Sequence, residues 1–319
     1  MLIFLDRKLS SKITVSDSLL RRGELNNEQR RQLEVMLWQC ERGFEGEQRA
    51  DRYWHDLQLD VPHVLLHGYE TENKYNFSHQ IDTILITNRF LLIVELKNIG
   101  GVISYDERTN QFVRILHGER LALTDPFAQV SRHESLVERV LWDVGVELPI
   151  LTAVIITSSS SIIEMMPPHF QVFKLSGLRL KLHDWLKSYP VRVSNNMVFL
   201  IKDELLKKYK IRKWKHPFGK IPIRSGALCK CGSVMYYSRG RFVCACGQIS
   251  REALLQGLHD YRLLINEWIT NKELREFFLI DSADVANKLL TRAGFYYEGS
   301  NKGRRYLIPE TVWRKKHEK

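Results

Sequence analysis

Two acidic residues and a lysine lie within an otherwise apolar stretch of the sequence. Asp82 belongs to one run rich in Ile, Leu and Val, and Glu95 belongs to a second run that ends just before Lys97. Two such runs around a two-residue connection predict an antiparallel β-hairpin. With Asn88 and Arg89 as the loop, Asp82 lies directly opposite Glu95, and the pleat places Lys97 on the same face.

This arrangement would place two carboxylates and one ammonium group close together in an apolar setting. Opposed side chains in a hairpin have Cβ atoms about 5 Å apart, and burying two like charges there is costly unless a positive charge lies between them. Lys97 can supply part of that charge and a divalent cation the rest. Oxygen ligands suit Mg²⁺, and Mn²⁺ accepts similar ligands. The alternative is a solvated Asp–Lys or Glu–Lys pair, but apolar residues on both faces are typical of a covered central strand.

Further segments on both sides of the hairpin complete a pattern. In order, they are GFEGE at 43–47, QID at 80–82, VELKN at 94–98, two glycines at 100–101 and DPFAQ at 125–129. Over about residues 40–145 this pattern resembles the NERD (nuclease-related domain) branch of the PD-(D/E)XK nuclease superfamily. The resemblance implies an α/β fold with a restriction-endonuclease-like mixed sheet flanked by helices, and metal-dependent hydrolysis of phosphodiester bonds.

The resemblance also implies roles for the hairpin residues. Asp82 and Glu95 would hold Mg²⁺ or Mn²⁺, and the backbone carbonyl of Leu96 would be a further ligand. Lys97 would position or deprotonate the attacking water and offset negative charge in the transition state.

Two more residues are candidates for supporting roles in catalysis. Glu47 lies in the first turn of a predicted helix, where the helix dipole alone would stabilise a carboxylate; the resemblance implies instead that it binds metal or orients water. Gln129 lies in the first turn of a helix predicted at 126–142. It is either an exposed polar residue or, as the resemblance implies, part of the site.

Four of the five cysteines form two closely spaced pairs. Thiolates grouped in this way predict one structural Zn²⁺ in a zinc-ribbon-like module, and the glycine after each pair allows a sharp turn. Each pair encloses one residue where zinc ribbons normally have two, so free or redox-active thiols are the alternative. The predicted ligands are Cys229, Cys231, Cys244 and Cys246.

The sequence of the C-terminal region predicts helices at 254–268, 270–278 and 282–293, followed by a hairpin at 294–308. This order resembles a winged helix-turn-helix, in which the third helix enters the major groove and the wing contacts the backbone. Many winged helices mediate only protein contacts, which is the alternative. The candidate phosphate contacts are Lys288, Arg292, Lys302, Arg304 and Arg305.

The 319-residue chain is basic, with a formal net charge of +11 and a pI of about 9.4. Polyanions are therefore the expected partners, nucleic acid before an anionic membrane. Basic residues interleaved with aromatic ones at 206–225 suggest a linker in which Lys213 and Lys215 contact nucleic acid, although a plain solvated linker fits equally. The chain has neither a secretory signal nor an apolar run long enough to span a bilayer, so a cytoplasmic location and no membrane partner are expected.

The sequence thus predicts five consecutive segments. They are a helical lead-in at 1–40, a NERD nuclease-like domain at 41–205, a basic linker at 206–225, a zinc-ribbon-like module at 226–250 and a winged-helix-like domain at 251–319. The lead-in is expected to pack on the nuclease-like core. Within the nuclease-like domain, residues 197–201 are predicted to form a strand.

The expected function is a metal-dependent nuclease acting on DNA, with C-terminal modules for DNA binding. Cutting both strands with one site per chain would require a homodimer or two events. The alternatives are a non-catalytic DNA-binding or regulatory protein on an inactive nuclease fold, and a nuclease that acts on RNA. A retired site would have no physical reason to keep a repulsive pair of carboxylates, which favours the enzyme.

Overall fold

The computed structural model describes residues 2–73 and 77–313, without the side chains of Leu2 and Lys302. The chain forms two compact units. The first unit comprises Met1–Leu9 and Gln39–Lys213, and the second comprises Ser10–Trp38 and Trp214–Lys319. Each unit has its own hydrophobic core.

The elements follow in chain order. The helices are α1 (Ser11–Arg22), α2 (Asn27–His55), α3 (Pro126–Asp143), α4 (Leu178–Ser188), α5 (Asn195–Lys207), α6 (Ala253–Leu264), α7 (Asn271–Phe278) and α8 (Ala283–Ala293). The strands are β1 (Leu2–Leu5), β2 (His63–Glu72), β3 (Ser78–Thr87), β4 (Leu91–Lys97), β5 (Gly101–Asp106), β6 (Gln111–Leu116), β7 (Glu119–Leu123), β8 (Ile150–Ile156), β9 (Ser161–Ile163), β10 (Val172–Lys174), β11 (Ala227–Leu228), β12 (Val234–Ser238), β13 (Arg241–Val243), β14 (Ile249–Ser250), β15 (Trp268–Thr270), β16 (Tyr297–Glu298) and β17 (Arg305–Leu307).

A six-stranded mixed sheet with the order β1-β2-β3-β4-β8-β10 is the centre of the first unit. Strands β2, β3 and β4 are antiparallel neighbours, whereas β1 runs parallel to β2, and β4, β8 and β10 are mutually parallel. Apolar side chains from α3 and α5 cover one face, and those from α2 and α4 cover the other. Because both faces are covered, β3 is buried from Ile81 to Thr87 and β4 from Leu91 to Leu96. The predicted mixed α/β fold is confirmed for this unit.

The predicted hairpin is confirmed, including its register. Thr83 pairs with Val94 and Ile86 with Leu91, which is the register that places Asp82 opposite Glu95. The backbone N–H of Thr87 donates to the carbonyl of Phe90 at 3.0 Å and closes the turn.

Three predicted elements are wrong. Glu47, predicted in the first turn of a helix, lies in the interior of α2, which begins at Asn27, so the helix dipole does not account for this carboxylate. The run at 197–201, predicted as a strand, lies inside α5, because Ser194 caps the helix and Val198, Ile201 and Leu205 form a stripe at helical spacing against the core. The helix predicted at 254–268 ends at Leu264, and its last predicted residue starts β15, which pairs with β17.

The predicted lead-in at 1–40 does not form one body on the nuclease-like core. Strand β1 joins the central sheet, while residues 10–38 belong to the second unit. A buried ion pair accounts for this placement: Arg22 Nε donates to Asp260 Oδ2 at 2.6 Å, and both side chains are 1% exposed. Arg22 also donates to the carbonyl of Gly226 at 2.7 Å, so α1 is fixed to both α6 and the segment before β11.

In the second unit, the cysteine region and the C-terminal helices share one core. Buried residues of the sheet β11-β12-β13-β14, such as Met235 and Phe242, pack with residues of α6 and α7, such as Leu258 and Phe278. The remaining elements follow the order helix, strand, helix, helix, strand, strand, and their three strands form the sheet β15-β17-β16. Within the described part of the chain, no helix is both long and apolar enough to cross a membrane.

Removing one partner of the buried ion pair should strongly destabilise the second unit. We expect Asp260→Ala to lower the free energy of unfolding by about 3–5 kcal/mol, because it leaves the buried Arg22 without its counter-charge. Glu310→Ala, which removes the exposed partner of Arg262, should cost no more than about 1 kcal/mol. Urea unfolding of both variants checks this. Equal, small decreases in the free energy of unfolding of the two variants would contradict this prediction.

Candidate active site and cysteine cluster

The five predicted catalytic residues lie at one end of the central strands, with Glu47 contributed by α2. Asp82 on β3 and Glu95 on β4 are buried and lie on the face of the sheet that α3 covers. Lys97 Nζ donates to Glu95 Oε1 at 2.7 Å and to Gln129 Oε1 at 2.8 Å. The amide of Gln129 therefore holds the lysine ammonium group against the carboxylate of Glu95.

A hydrogen bond to the neighbouring strand fixes the carboxylate of Asp82. Its Oδ2 accepts from the backbone N–H of Leu96 at 2.7 Å. Its Oδ1 accepts no hydrogen bond from the residues that the structure describes. Similarly, Lys97 donates to Oε1 of Glu95 and not to Oε2. Two oxygen atoms, one from each carboxylate, are thus available as ligands for a hard cation.

Burial, with neighbouring charges, raises the pKa values of the carboxyl groups at the site. Burial raises the pKa of Asp82. Burial and the charge of Asp82 raise the pKa of Glu95 to about 8, although Lys97 acts in the opposite direction. Burial and the same neighbour raise the pKa of Glu47 to about 7. The acidic cluster therefore retains protons near neutral pH unless a cation takes their place.

Arg7 connects Glu47 to the hairpin. Its side chain is 4% exposed and donates to Glu47 Oε2 at 2.8 Å and to the backbone carbonyl of Asp82 at 2.7 Å. It also forms a two-pronged contact with Asp51, at 2.9 and 3.1 Å. Sequence analysis missed both residues. Asp51 could have been found, since it lies four positions after Glu47 on the same helix face, whereas Arg7 has no local signal.

The glycine at 46 explains part of the GFEGE segment. A Cβ atom on Gly46 would lie 2.5 Å from Asn98 Cβ and 2.5 Å from Thr157 Oγ1. Only a residue without a side chain allows α2 to approach the ends of β4 and β8 this closely. The contact is reinforced by Arg49, which donates to the carbonyl of Thr157 at 2.6 Å. This approach places Glu47, the next residue, beside the acidic cluster.

His133 is a further residue at the site that sequence analysis missed. Its Nε2 lies 4.0 Å from Glu95 Oε2, and its Nδ1 lies 3.3 Å from Nδ1 of His79 on β3. Burial lowers the pKa of His133 to about 4, so the imidazole is neutral at neutral pH. The available signal was its position one helical turn after Gln129.

The comparisons with known proteins agree with this geometry. The family described as "Nuclease-related domain" matches residues 42–157. This part of the chain is therefore similar to nuclease-related domains. It contains Glu47, Asp82, Glu95, Lys97 and Gln129, whereas Arg7 lies outside the match. No curated protein and no solved structure matches the chain.

The four paired cysteines form a compact cluster in the second unit. Their Sγ atoms all lie within 4.8 Å of one another. The distance is 3.7 Å between Cys229 and Cys246 and 3.6 Å between Cys231 and Cys244. Four sulfur atoms at about 2.3 Å from one tetrahedral zinc ion would be about 3.8 Å apart, so the cluster could hold zinc. In the described ranges, this is the one group of three or more His, Cys, Asp or Glu side chains gathered this closely.

The two cysteine pairs have the same backbone conformation despite their short spacing. The N–H groups of Cys229 and Cys244 donate at 2.9 Å to the carbonyls of the residues four positions later. Gly232 and Gly247 have φ of +86° and +85°, which closes each turn. Hydrogen bonds with Ser233 lower the pKa of the Cys231 thiol to about 6 and so favour the thiolate, the form that binds metal. One residue between the cysteines therefore still allows each pair to form a tight turn that brings its thiols into one cluster.

The predicted nucleic-acid contacts differ in their surroundings. Lys213, Lys215, Lys288 and Arg292 are exposed. In contrast, Arg305 donates to Glu298 at 2.7 Å and also lies over Trp268, and Arg304 lies 4.6 Å from the ring centre of Tyr297. The side chain of Lys302 lies outside the described residues. The positive charges of the wing are thus partly engaged within the protein itself.

The cysteine cluster predicts a measurable metal content. The purified chain should contain about one zinc ion, and Cys244→Ser should lose it and unfold the second unit at lower temperature, since Cys244 is part of that core. Elemental analysis and thermal unfolding check both effects. Cys40→Ser, which changes a cysteine outside the cluster, should keep the zinc. A zinc-free native protein, under reducing conditions and with zinc supplied during expression, would contradict the prediction.

Proposed function

We propose that the chain is a metal-dependent nuclease that hydrolyses phosphodiester bonds in DNA. The observation that carries the proposal is the contact of Lys97 with both Glu95 and Gln129, beside the buried Asp82, within the nuclease-related domain. Glu95 and Asp82 supply oxygen ligands, and Lys97 supplies a positive group at the same place. These are the parts that hydrolysis of a phosphodiester requires.

Asp82 and Glu95 would hold Mg²⁺ or Mn²⁺, with the carbonyl of Leu96 as a further oxygen ligand. The bound ion would polarise the scissile phosphate and lower the pKa of the attacking water. The donor set fits such an ion, because burial of two coupled carboxylates raises their pKa values and so favours any cation that replaces the protons.

The side chains around the pair have distinct tasks in this proposal. Lys97 orients the water and stabilises negative charge on the phosphate, and Gln129 keeps its ammonium group in place. Glu47 orients the water from the other side, and Arg7 fixes the position of Glu47. Arg7 also holds the strand that carries Asp82 through the backbone carbonyl of that residue.

The second unit supports DNA as the substrate. The order of its helices and strands, with the three-stranded sheet β15-β17-β16, supports the proposal of a winged helix in which α8 would be the third helix. Lys288 and Arg292 are exposed on α8 and could contact phosphates. The net charge of +11 favours a polyanionic partner.

Cleavage of plasmid DNA tests the proposal. Purified protein should nick or cut supercoiled plasmid in Mg²⁺ or Mn²⁺ and be inactive in EDTA. Asp82→Asn and Lys97→Met should each lower the rate at least about 100-fold, because each removes a charge that acts in the transition state. Asp56→Asn is the matched control: this aspartate is exposed, in the same unit, and paired only with Arg179 on the surface.

Parallel assays with RNA separate the alternatives. Faster cleavage of RNA than of DNA, lost in the same variants, would replace DNA by RNA as the substrate. DNA binding without cleavage in any metal, unchanged in Asp82→Asn, would contradict the nuclease and indicate a non-catalytic DNA-binding protein.

A further inference from the structure

A cleft in the second unit combines positive charge with an aromatic wall. It has a volume of about 350 Å³ and lies between the hairpin β12–β13 and the helices α6 and α8. Its lining includes Arg241, Arg251 and Arg292, together with Tyr237. We call it the arginine cleft, defined by these four residues.

The three arginines come from different elements and converge on the same space. Arg241 starts β13, Arg251 precedes α6 and Arg292 lies in the last turn of α8. All three are exposed, and none of their side chains has a hydrogen-bond or ion-pair partner among residues 2–73 and 77–313. Like charges brought together without a counter-charge repel one another, so a bound anion would stabilise this arrangement.

Other arginines of the same unit are already paired. Arg22 is held by Asp260, Arg262 by Glu310 and Arg305 by Glu298. Unlike these three, the guanidinium groups of the cleft have no such partner within the described part of the chain. These planar, fork-shaped donors suit the oxygen atoms of a phosphate.

The remaining walls are aromatic and apolar. Tyr237 is half-buried, and its ring is fixed by an edge contact with Phe242 at 5.2 Å between centroids. Leu254 and Leu289 are half-buried and line the same cleft. A flat apolar group can stack on a tyrosine held in this way.

The size and shape of the cleft select among nucleic acids. A volume of about 350 Å³ lies in the range of pockets that enclose a small ligand such as one nucleotide. A base that is paired and stacked inside a duplex cannot enter such a concave site, whereas an unpaired base can.

We infer that the arginine cleft binds single-stranded nucleic acid, with backbone phosphate at the three arginines and an unpaired base against Tyr237. The inference deepens the proposed function by naming an unpaired strand as what the second unit recognises. The nuclease-related domain would then act on DNA that has single-stranded regions, such as ends, gaps or flaps.

Fluorescence anisotropy with a short labelled oligo-dT strand tests the cleft directly. The assay uses the full zinc-loaded chain without Mg²⁺ or Mn²⁺, so that no cleavage is possible. Wild type should bind the single strand at least about tenfold more tightly than a duplex of equal length. Each Arg→Gln change in the cleft should weaken binding at least about threefold, and the triple change should reduce the slope of log K against log salt by about 2. Tyr237→Leu should weaken binding at least about fivefold.

Lys272→Gln is the charge-matched control, since Lys272 is an exposed cation of the same unit on α7. It should bind as wild type does. Zinc content and circular dichroism of every variant identify any that misfold. If the triple variant misfolds, the slope of log K against log salt is measured for the correctly folded single variants instead. Equal binding by wild type, the folded cleft variants and the control would overturn the inference, and so would equal affinity for the duplex.

This result is independent of the cleavage assay. If the protein never cuts DNA but the cleft variants lose single-strand binding, the nuclease proposal fails and the cleft stands. If wild type cuts DNA and the cleft variants bind normally, the cleft inference alone fails.

Discussion

The burial of two carboxylates on neighbouring central strands is the constraint on which the first unit depends. Asp82 and Glu95 are 7% and 5% exposed; burial raises the pKa of both, and the charge of Asp82 raises that of Glu95 further. Without compensating positive charge, a buried pair of carboxylates destabilises the folded state. It is compatible with a native structure because Lys97, the backbone N–H of Leu96 and bound protons offset the charge, and because a divalent cation can offset it further.

The surrounding structure holds this pair in place from several directions. Helices cover both faces of the sheet, so the strands cannot shift register without exposing apolar side chains. Gly46 lets α2 approach the strand ends, and Arg7 ties α2 to the backbone of Asp82. The segment after β1 thus contributes to a cluster whose other residues lie within the part that matches the nuclease-related domain family.

Local signals in the sequence were sufficient for the hairpin, its register and the cysteine pairs. The two-residue loop and the period of two fix which residue faces Asp82, and cysteine spacing fixes the cluster. Long-range contacts were not predictable in this way: Arg7 meets Glu47 across 40 positions, and Arg22 meets Asp260 across 238. The prediction of a strand at 197–201 was wrong because an apolar run of five residues fits a strand and a helix equally well. The N-cap at Ser194 and the buried Leu205, at helical spacing from Ile201, stabilise the helix.

Proton release on metal binding tests the central claim most directly. Calorimetric titration of zinc-loaded protein with Mn²⁺ at pH 7, in two buffers of different ionisation enthalpy, measures how many protons leave. With the pKa of Glu95 raised to about 8 and that of Glu47 to about 7, the acidic cluster holds protons that a cation must displace. We predict release of about one proton per ion, and both weaker binding and less release in Glu95→Gln. Binding without proton release, unchanged in that variant, would show that the buried carboxylate pair is not the metal site.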